Sequence, residues 1–226
     1  MSDMNRRQWL KVAAVTPVLA ATGAGAARAA APTADDVKGL VDKALGFLKG
    51  AQKDDGHFLD GGFAEPGLTA LVAASLARNG VPADNPVVSK AVKYLEKNVK
   101  DDGGVYLKGL SNYMTCLAIV AFKEVNADKK YDKVIESASK YVKGLQYADG
   151  LTEKDLNFGG AGYDKPGAKG GPDLSNTHFM VEALLAAGVS KDDPAIKRAL
   201  TYISRCQNFE SEANKFEFAA KAGAAD

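Results

Sequence analysis

Asp173, Ser175, Asn176, Thr177 and His178 crowd the start of an apolar helical stretch, directly after a glycine-rich run that begins at Asn157. Residues of these types at a helix start do two kinds of chemistry. Their oxygens accept the exposed backbone N–H groups of the first turn, and a carboxylate or imidazole there can serve as a general acid. Seven of the first fifteen residues from Asn157 are glycine or proline, which rules out a helix or strand interior. A compact domain rarely keeps a loop of about twenty residues without a use for it. Asp173 and His178 are therefore the candidate acids. Tyr163, Asp173, Ser175, Asn176, Thr177 and Phe179 are the candidate ligand contacts.

The elements that must position these side chains are helices. Apolar residues recur with helical period along the chain, and no segment alternates as a strand does. Val37, Leu40, Val41, Ala44, Leu45 and Leu48 share a face over about 34–52. Further helices are expected over about 66–79, from Asn85-Pro86, from Ser111, over about 129–146, over 177–187 and from Asp193-Pro194. Asn85-Pro86 and Asp193-Pro194 are the same device, a side-chain cap followed by a proline preset for the first turn.

The spacing repeats. Phe47, Tyr94 and Tyr141 lie 47 residues apart, and so do Gly56, Gly103 and Gly150, each after an aspartate. Gln52, Gln146 and Gln207 share one register, with Val99 as the exception. Thr69, Thr115 and Thr177 share another. Each unit therefore reads as a helix, an Asp-Gly loop and a second helix, stacked side by side. A fourth unit opens near Ala199 without a clear second helix.

Phe47-Leu48-x-x-x-Gln52-x-x-x-Gly56-x-Phe58 resembles the Gln-and-aromatic repeat of the squalene–hopene cyclase and protein prenyltransferase superfamily. Pro172-Asp-Leu-Ser-Asn-Thr177 is similar to the same region of bacterial squalene-cyclase-like repeat proteins. The likeness runs from about Val37 to Asn208. It implies an all-α fold, an α/α toroid with second helices as the inner ring, present here as three to three and a half repeats. In such cyclases the middle aspartate of Asp-x-Asp-Asp-Thr protonates the polyene. That motif reads Asp173-Leu174-Ser175-Asn176-Thr177 here, so the resemblance places Ser175 where the acid stands. A hydroxyl cannot protonate an alkene near neutral pH. The prenyltransferase zinc motif Asp-x-Cys is also missing, since Met114 precedes Thr115-Cys116.

The expected function is binding, with the concave face and the 157–175 loop holding an apolar, isoprenoid-like molecule or a protein partner. The alternative is an enzyme of the superfamily using Asp173 or His178 as acid. Half a ring would leave its inner helices open, which implies a homodimer or another protein closing it.

Bulk properties narrow the rest. Asn5-Arg6-Arg7-Gln8-Trp9-Leu10-Lys11, an uncharged run to Ala27 and Ala27-Arg28-Ala29 read as a twin-arginine export signal over 1–29, retained or cleaved. That predicts a periplasmic or extracellular protein, with the repeat domain over 30–208 and a partial repeat and tail over 209–226. Without the signal the chain carries 25 basic and 27 acidic residues, which gives no reason to expect nucleic acid. Cys116 and Cys206 fall on apolar faces and are expected as buried free thiols. Two histidines and no Cys-x-x-Cys predict no metal site, and no cofactor is implied.

Overall fold

The computed structural model describes residues 31–58, 60, 65–207 and 211–217. The stretch 1–29 read as an export signal, and most of the C-terminal tail, lie outside them. Among the described residues there are seven α-helices: α1 Ala34–Ala51, α2 Glu65–Arg78, α3 Pro86–Lys97, α4 Ser111–Glu124, α5 Asp132–Gly144, α6 Leu174–Ala186 and α7 Pro194–Cys206, with a 3-10 turn at Glu212–Asn214. They contain no strand, only isolated bridges at Val99–Val105 and Ala161–Asp173. No described helix is long and apolar enough to cross a membrane.

The chain divides into compact units at Met1–Gly39 and Leu40–Asp226. In the first, Thr33 and Asp36 cap the start of α1 reciprocally. The Thr33 N–H donates to Asp36 Oδ2 at 2.9 Å and the Asp36 N–H to Thr33 Oγ1 at 3.1 Å.

In the second unit the helices form two layers. α3, α5 and α7 are amphipathic and outer, while α2, α4 and α6 are apolar nearly all round and inner. α4 is the centre, with eleven of its fourteen residues buried. α2 and α6 flank it, and each inner helix packs on the outer helix that follows it. The units by packing are thus α2–α3, α4–α5 and α6–α7, offset by one helix from the outer-then-inner units read off the sequence. The inner helices run parallel. Gly67 near the start of α2 faces Tyr113 and Met114 near the start of α4. At the other end Arg78 reaches Glu124 at 2.7 Å and Glu182 at 3.2 Å.

The polar registers bear out the repeat. Thr69, Thr115 and Thr177 are fully buried, and each hydroxyl donates to the carbonyl four residues back, at 2.6–2.9 Å. Thr115 and Thr177 also accept the Val105 and Ala161 N–H groups at 2.9 Å, tying each loop to its inner helix. Gln52 Nε2 donates to the Gly56 and Val87 carbonyls at 3.0 and 2.9 Å. Gln146 does the same to Gly159 and Ala195, at the same distances. Each glutamine joins its own loop to the first turn of the next outer helix.

That equivalence corrects one register. The partner of Gly56 and Gly103 in the third unit is Gly159. A Cβ on Gly56 would lie 2.2 Å from the Lys90 oxygen, on Gly103 2.7 Å from the Ser137 oxygen, and on Gly159 2.0 Å from the Arg198 oxygen. Gly150 has open space instead. Its Asp-Gly turn starts an insertion, and the close approach that demands glycine comes nine residues later.

Two further expectations change. Cys206 is exposed, at the end of α7, while Cys116 is buried in α4. The inner helices also cover more of themselves than the half-ring argument supposes. Leu76, Leu117, Phe122, Met180 and Leu184 are buried, while Leu71 stays 44% exposed. Arg78 of α2 reaches Glu124 of α4 and Glu182 of α6, while Leu174 and Leu185 of α6 stay 49% and 38% exposed.

Candidate functional site

The 157–175 loop is fastened along its length. At its entrance the Gly159 N–H donates to the Tyr147 oxygen at 2.8 Å, and the Tyr147 N–H to the Gly160 oxygen at 2.9 Å. Arg205, buried at the end of α7, holds the inserted stretch just before it by donating to the Glu153 and Asp155 carbonyls at 2.6 and 3.0 Å. At the exit the Tyr202 hydroxyl donates to the Pro172 oxygen at 2.9 Å, and the Asp173 N–H to the Ala161 oxygen at 3.1 Å.

Between these anchors the loop crosses the start of α4. Leu110, at φ 55°, offers no side-chain cap, and Asp164 supplies it from 54 residues away. Its two oxygens accept the Leu110 and Ser111 N–H groups at 3.0 and 2.8 Å. Asn112 adds its N–H to the Tyr163 oxygen and its amide to the Gly162 oxygen. One carboxylate on two N–H groups of a first turn is a charge-assisted cap aligned with the helix dipole.

Asp173 caps α6 in the ordinary way. Its Oδ1 accepts the Asn176 N–H at 2.8 Å and the Ser175 hydroxyl at 2.7 Å, and its Oδ2 accepts the Asn176 amide at 2.7 Å. Partial burial pushes its pKa up, but the hydrogen bonds from Ser175 and Asn176 outweigh that and hold it below the ordinary 3.8. Asp173 is therefore a carboxylate at neutral pH. Asn176 and Thr177 are buried, and Asn176 Oδ1 has no hydrogen-bond partner. Ser175 is exposed on the first turn.

His178 stands on the solvent side of α6, its Nε2 3.9 Å from Glu182 Oε2. Its ring meets that of Phe179 edge-on with centroids 6.0 Å apart, and the Phe179 ring meets Tyr113 edge-on at 5.2 Å. Tyr113 is 6.0 Å from the half-exposed Tyr163 ring. So the structure joins Asp173, Ser175, Asn176 and Thr177 in one cap network. It places Tyr163 and Phe179 in an aromatic row through Tyr113, with His178 on the exposed side of Phe179 and outside the cap network. Tyr113 is the residue missed from sequence. The threonine register would have found it, since Tyr113 sits two residues before Thr115 as Ser175 sits two before Thr177.

A second polar cluster lies at the first loop. His57 Nδ1 is 2.5 Å from Asp55 Oδ1, its Nε2 is 3.3 Å from Asp60 Oδ1, and its ring is 5.4 Å from Tyr94. The Tyr94 hydroxyl donates to Glu65. Burial pulls the His57 pKa down, but the hydrogen bonds and charges of Asp55, Glu65 and Asp60 outweigh it and raise the value above 6.5. The repeat has glycine here in the other units, Gly104 and Gly160, each pressed against the outer-helix tyrosine. No group of three or more His, Cys, Asp or Glu among the described residues is arranged to hold a metal ion.

Chemically, the site at α6 offers a carboxylate already committed as acceptor, a hydroxyl that donates to it, and a wall of aromatic rings. Residues 52–223 match the family model described as the squalene-hopene cyclase C-terminal domain. No curated protein matches the chain.

Proposed function

The chain belongs to the squalene-hopene cyclase C-terminal domain family, and from that premise we propose that it is an exported binding protein of this terpenoid-cyclase-like group, without cyclase activity. Its ligand is an apolar, isoprenoid-like molecule held by the inner helices and the 157–175 loop, or a partner protein. A second copy or that partner completes the ring.

One observation carries the reading. At the register of the protonating acid stands Ser175, whose hydroxyl donates to Asp173. Asp173 is itself held ionised by that bond and by Asn176. Neither group can deliver a proton to a carbon–carbon double bond at neutral pH, because each would have to give up a far more favourable state. What is left at the site favours contact over chemistry. Tyr163, Tyr113 and Phe179 offer aromatic faces suited to a polyunsaturated chain, and the partly exposed Tyr163 ring is the accessible end of the row.

Native mass spectrometry of the protein purified from its own periplasm tests this. The reading expects a bound apolar mass that farnesol displaces, together with the oligomeric state. A protein that is cytoplasmic, or that carries and takes up no such ligand or partner, would refute it.

A further inference from the structure

We propose a binding site for a neutral, single-chain aliphatic alcohol or ester in the cleft between α1 and α2, separate from the 157–175 loop. The inference rests on the reading that this protein binds apolar molecules, and adds a second place for one, with its chemistry. The cleft is a solvent-open groove of about 400 Å³ walled by Leu40, Val41 and Leu48 of α1 and Leu71, Val72 and Leu76 of α2.

The packing rule of the repeat leaves this cleft open. α3, α5 and α7 each bury an apolar face against the inner helix before them, whereas α1 buries no residue completely. Leu40 is 64% exposed across the cleft from Leu71. Gln52 bonds to the Gly56 and Val87 carbonyls and so fixes the chain where it leaves α1.

Size and charge choose the occupant. A volume of this order fits the range of small-molecule sites. No charged side chain lines it. Its polar groups, the Ser75 hydroxyl and the Asn79 amide, lie at and just past the end of α2, with the Asn79 amide donating to the Ser75 backbone carbonyl at 2.8 Å. An uncharged chain with one hydroxyl or carbonyl at that end is complementary on both counts. A carboxylate or ammonium head would find no counter-charge.

Methyl NMR of the full chain with labelled leucine and valine, titrated with dodecan-1-ol, tests the site. Saturable shifts are expected at the Leu40, Leu71 and Leu76 methyls, with decan-1-ol binding about fifteenfold more weakly for its two missing methylenes. Dodecanoate should bind more weakly than the alcohol. Leu71→Asp, at a half-exposed position, should cost at least tenfold in affinity without changing the melting temperature. If that variant unfolds, Ser75→Phe at the exposed rim should block the chain instead. Shifts confined to the Leu174 and Leu185 methyls of α6 would overturn this location while leaving an apolar ligand at the loop intact. No saturable shift, tighter binding of dodecanoate, or cleft shifts that follow protein concentration without any probe would each overturn the proposal. The last would mean that a second copy covers the cleft. Ligand capture in the periplasmic preparation stands or falls separately.

Discussion

Replacing Gly159 by alanine puts a methyl carbon 2.0 Å from the Arg198 carbonyl oxygen and 2.5 Å from its carbon, at a φ of +86°. Both neighbours are backbone, so no side chain can turn aside. The Arg198 carbonyl belongs to the middle of α7 and cannot retreat without breaking that helix. Two costs add: a non-glycine residue in the left-handed region at about 1–2 kcal/mol, and overpacking at about 1–3 kcal/mol. The strain also reaches the bonds Gly159 makes, its N–H to Tyr147 and its oxygen from Gln146. A total near 3 kcal/mol would lower the melting temperature of a chain this size by about 6–12 °C. Gly150→Ala is the control. Gly150 also has positive φ, at +72°, but open space around its Cβ, so it pays only the backbone cost of about 1 kcal/mol. Urea unfolding followed by circular dichroism measures both. Equal losses, or a larger loss at Gly150, would refute the assignment of Gly159 to the Gly56 and Gly103 register.

Asp164→Ala should destabilise by about 1–2 kcal/mol by uncapping α4, and amide exchange at Leu110 and Ser111 should quicken. Unchanged exchange there would remove Asp164 from that role. His57 gains affinity for its proton on folding, so its contribution is complete below the ordinary value of 6.5 and is lost as the pH rises through the higher folded value. The wild-type advantage over His57→Asn in urea unfolding should therefore shrink from pH 5.5 to pH 8.5, and an advantage that grew would contradict the cluster. Asp173 has the opposite sign, because its folded pKa is depressed. Stability relative to Asp173→Ala should hold above pH 3.8 and fall as the pH drops through the folded value.

The helical layers were legible because the chain repeats one local rule. The apolar spacing, Asn85-Pro86 and Asp193-Pro194 each decide a helix from a few neighbouring residues, and both caps do accept the expected N–H groups, from Val87 and Ala195. The threonine register was legible because its bond runs four residues back within one helix. Where an interaction spans units, sequence spacing misled. An Asp-Gly pair looks the same whether it only turns the chain, as at Gly150, or precedes a backbone contact, as at Gly56, so the insertion before Gly159 stayed hidden. Asp164 gave no sign of capping a helix 53 residues earlier, and Leu110 no sign of needing it. The apolar inner residues suggested an open face, yet alanines such as Ala70, Ala73, Ala118 and Ala121 let those helices approach closely and bury Leu76, Leu117, Phe122, Met180 and Leu184, leaving Leu71, Leu174 and Leu185 exposed. At the candidate site Asp173 was readable as a cap from its position before α6. The row from Tyr163 through Tyr113 to Phe179 needs three segments brought together, which no local pattern announces.

The central claim, binding without cyclisation, is tested most directly by incubating purified protein with squalene and shorter polyenes and analysing the extract by gas chromatography. The account predicts unchanged polyene and no cyclised product at any pH from 5 to 8, for the wild type and for Asp173→Asn alike. A cyclised product from the wild type that vanishes with Asp173→Asn would contradict it and make Asp173 a working acid.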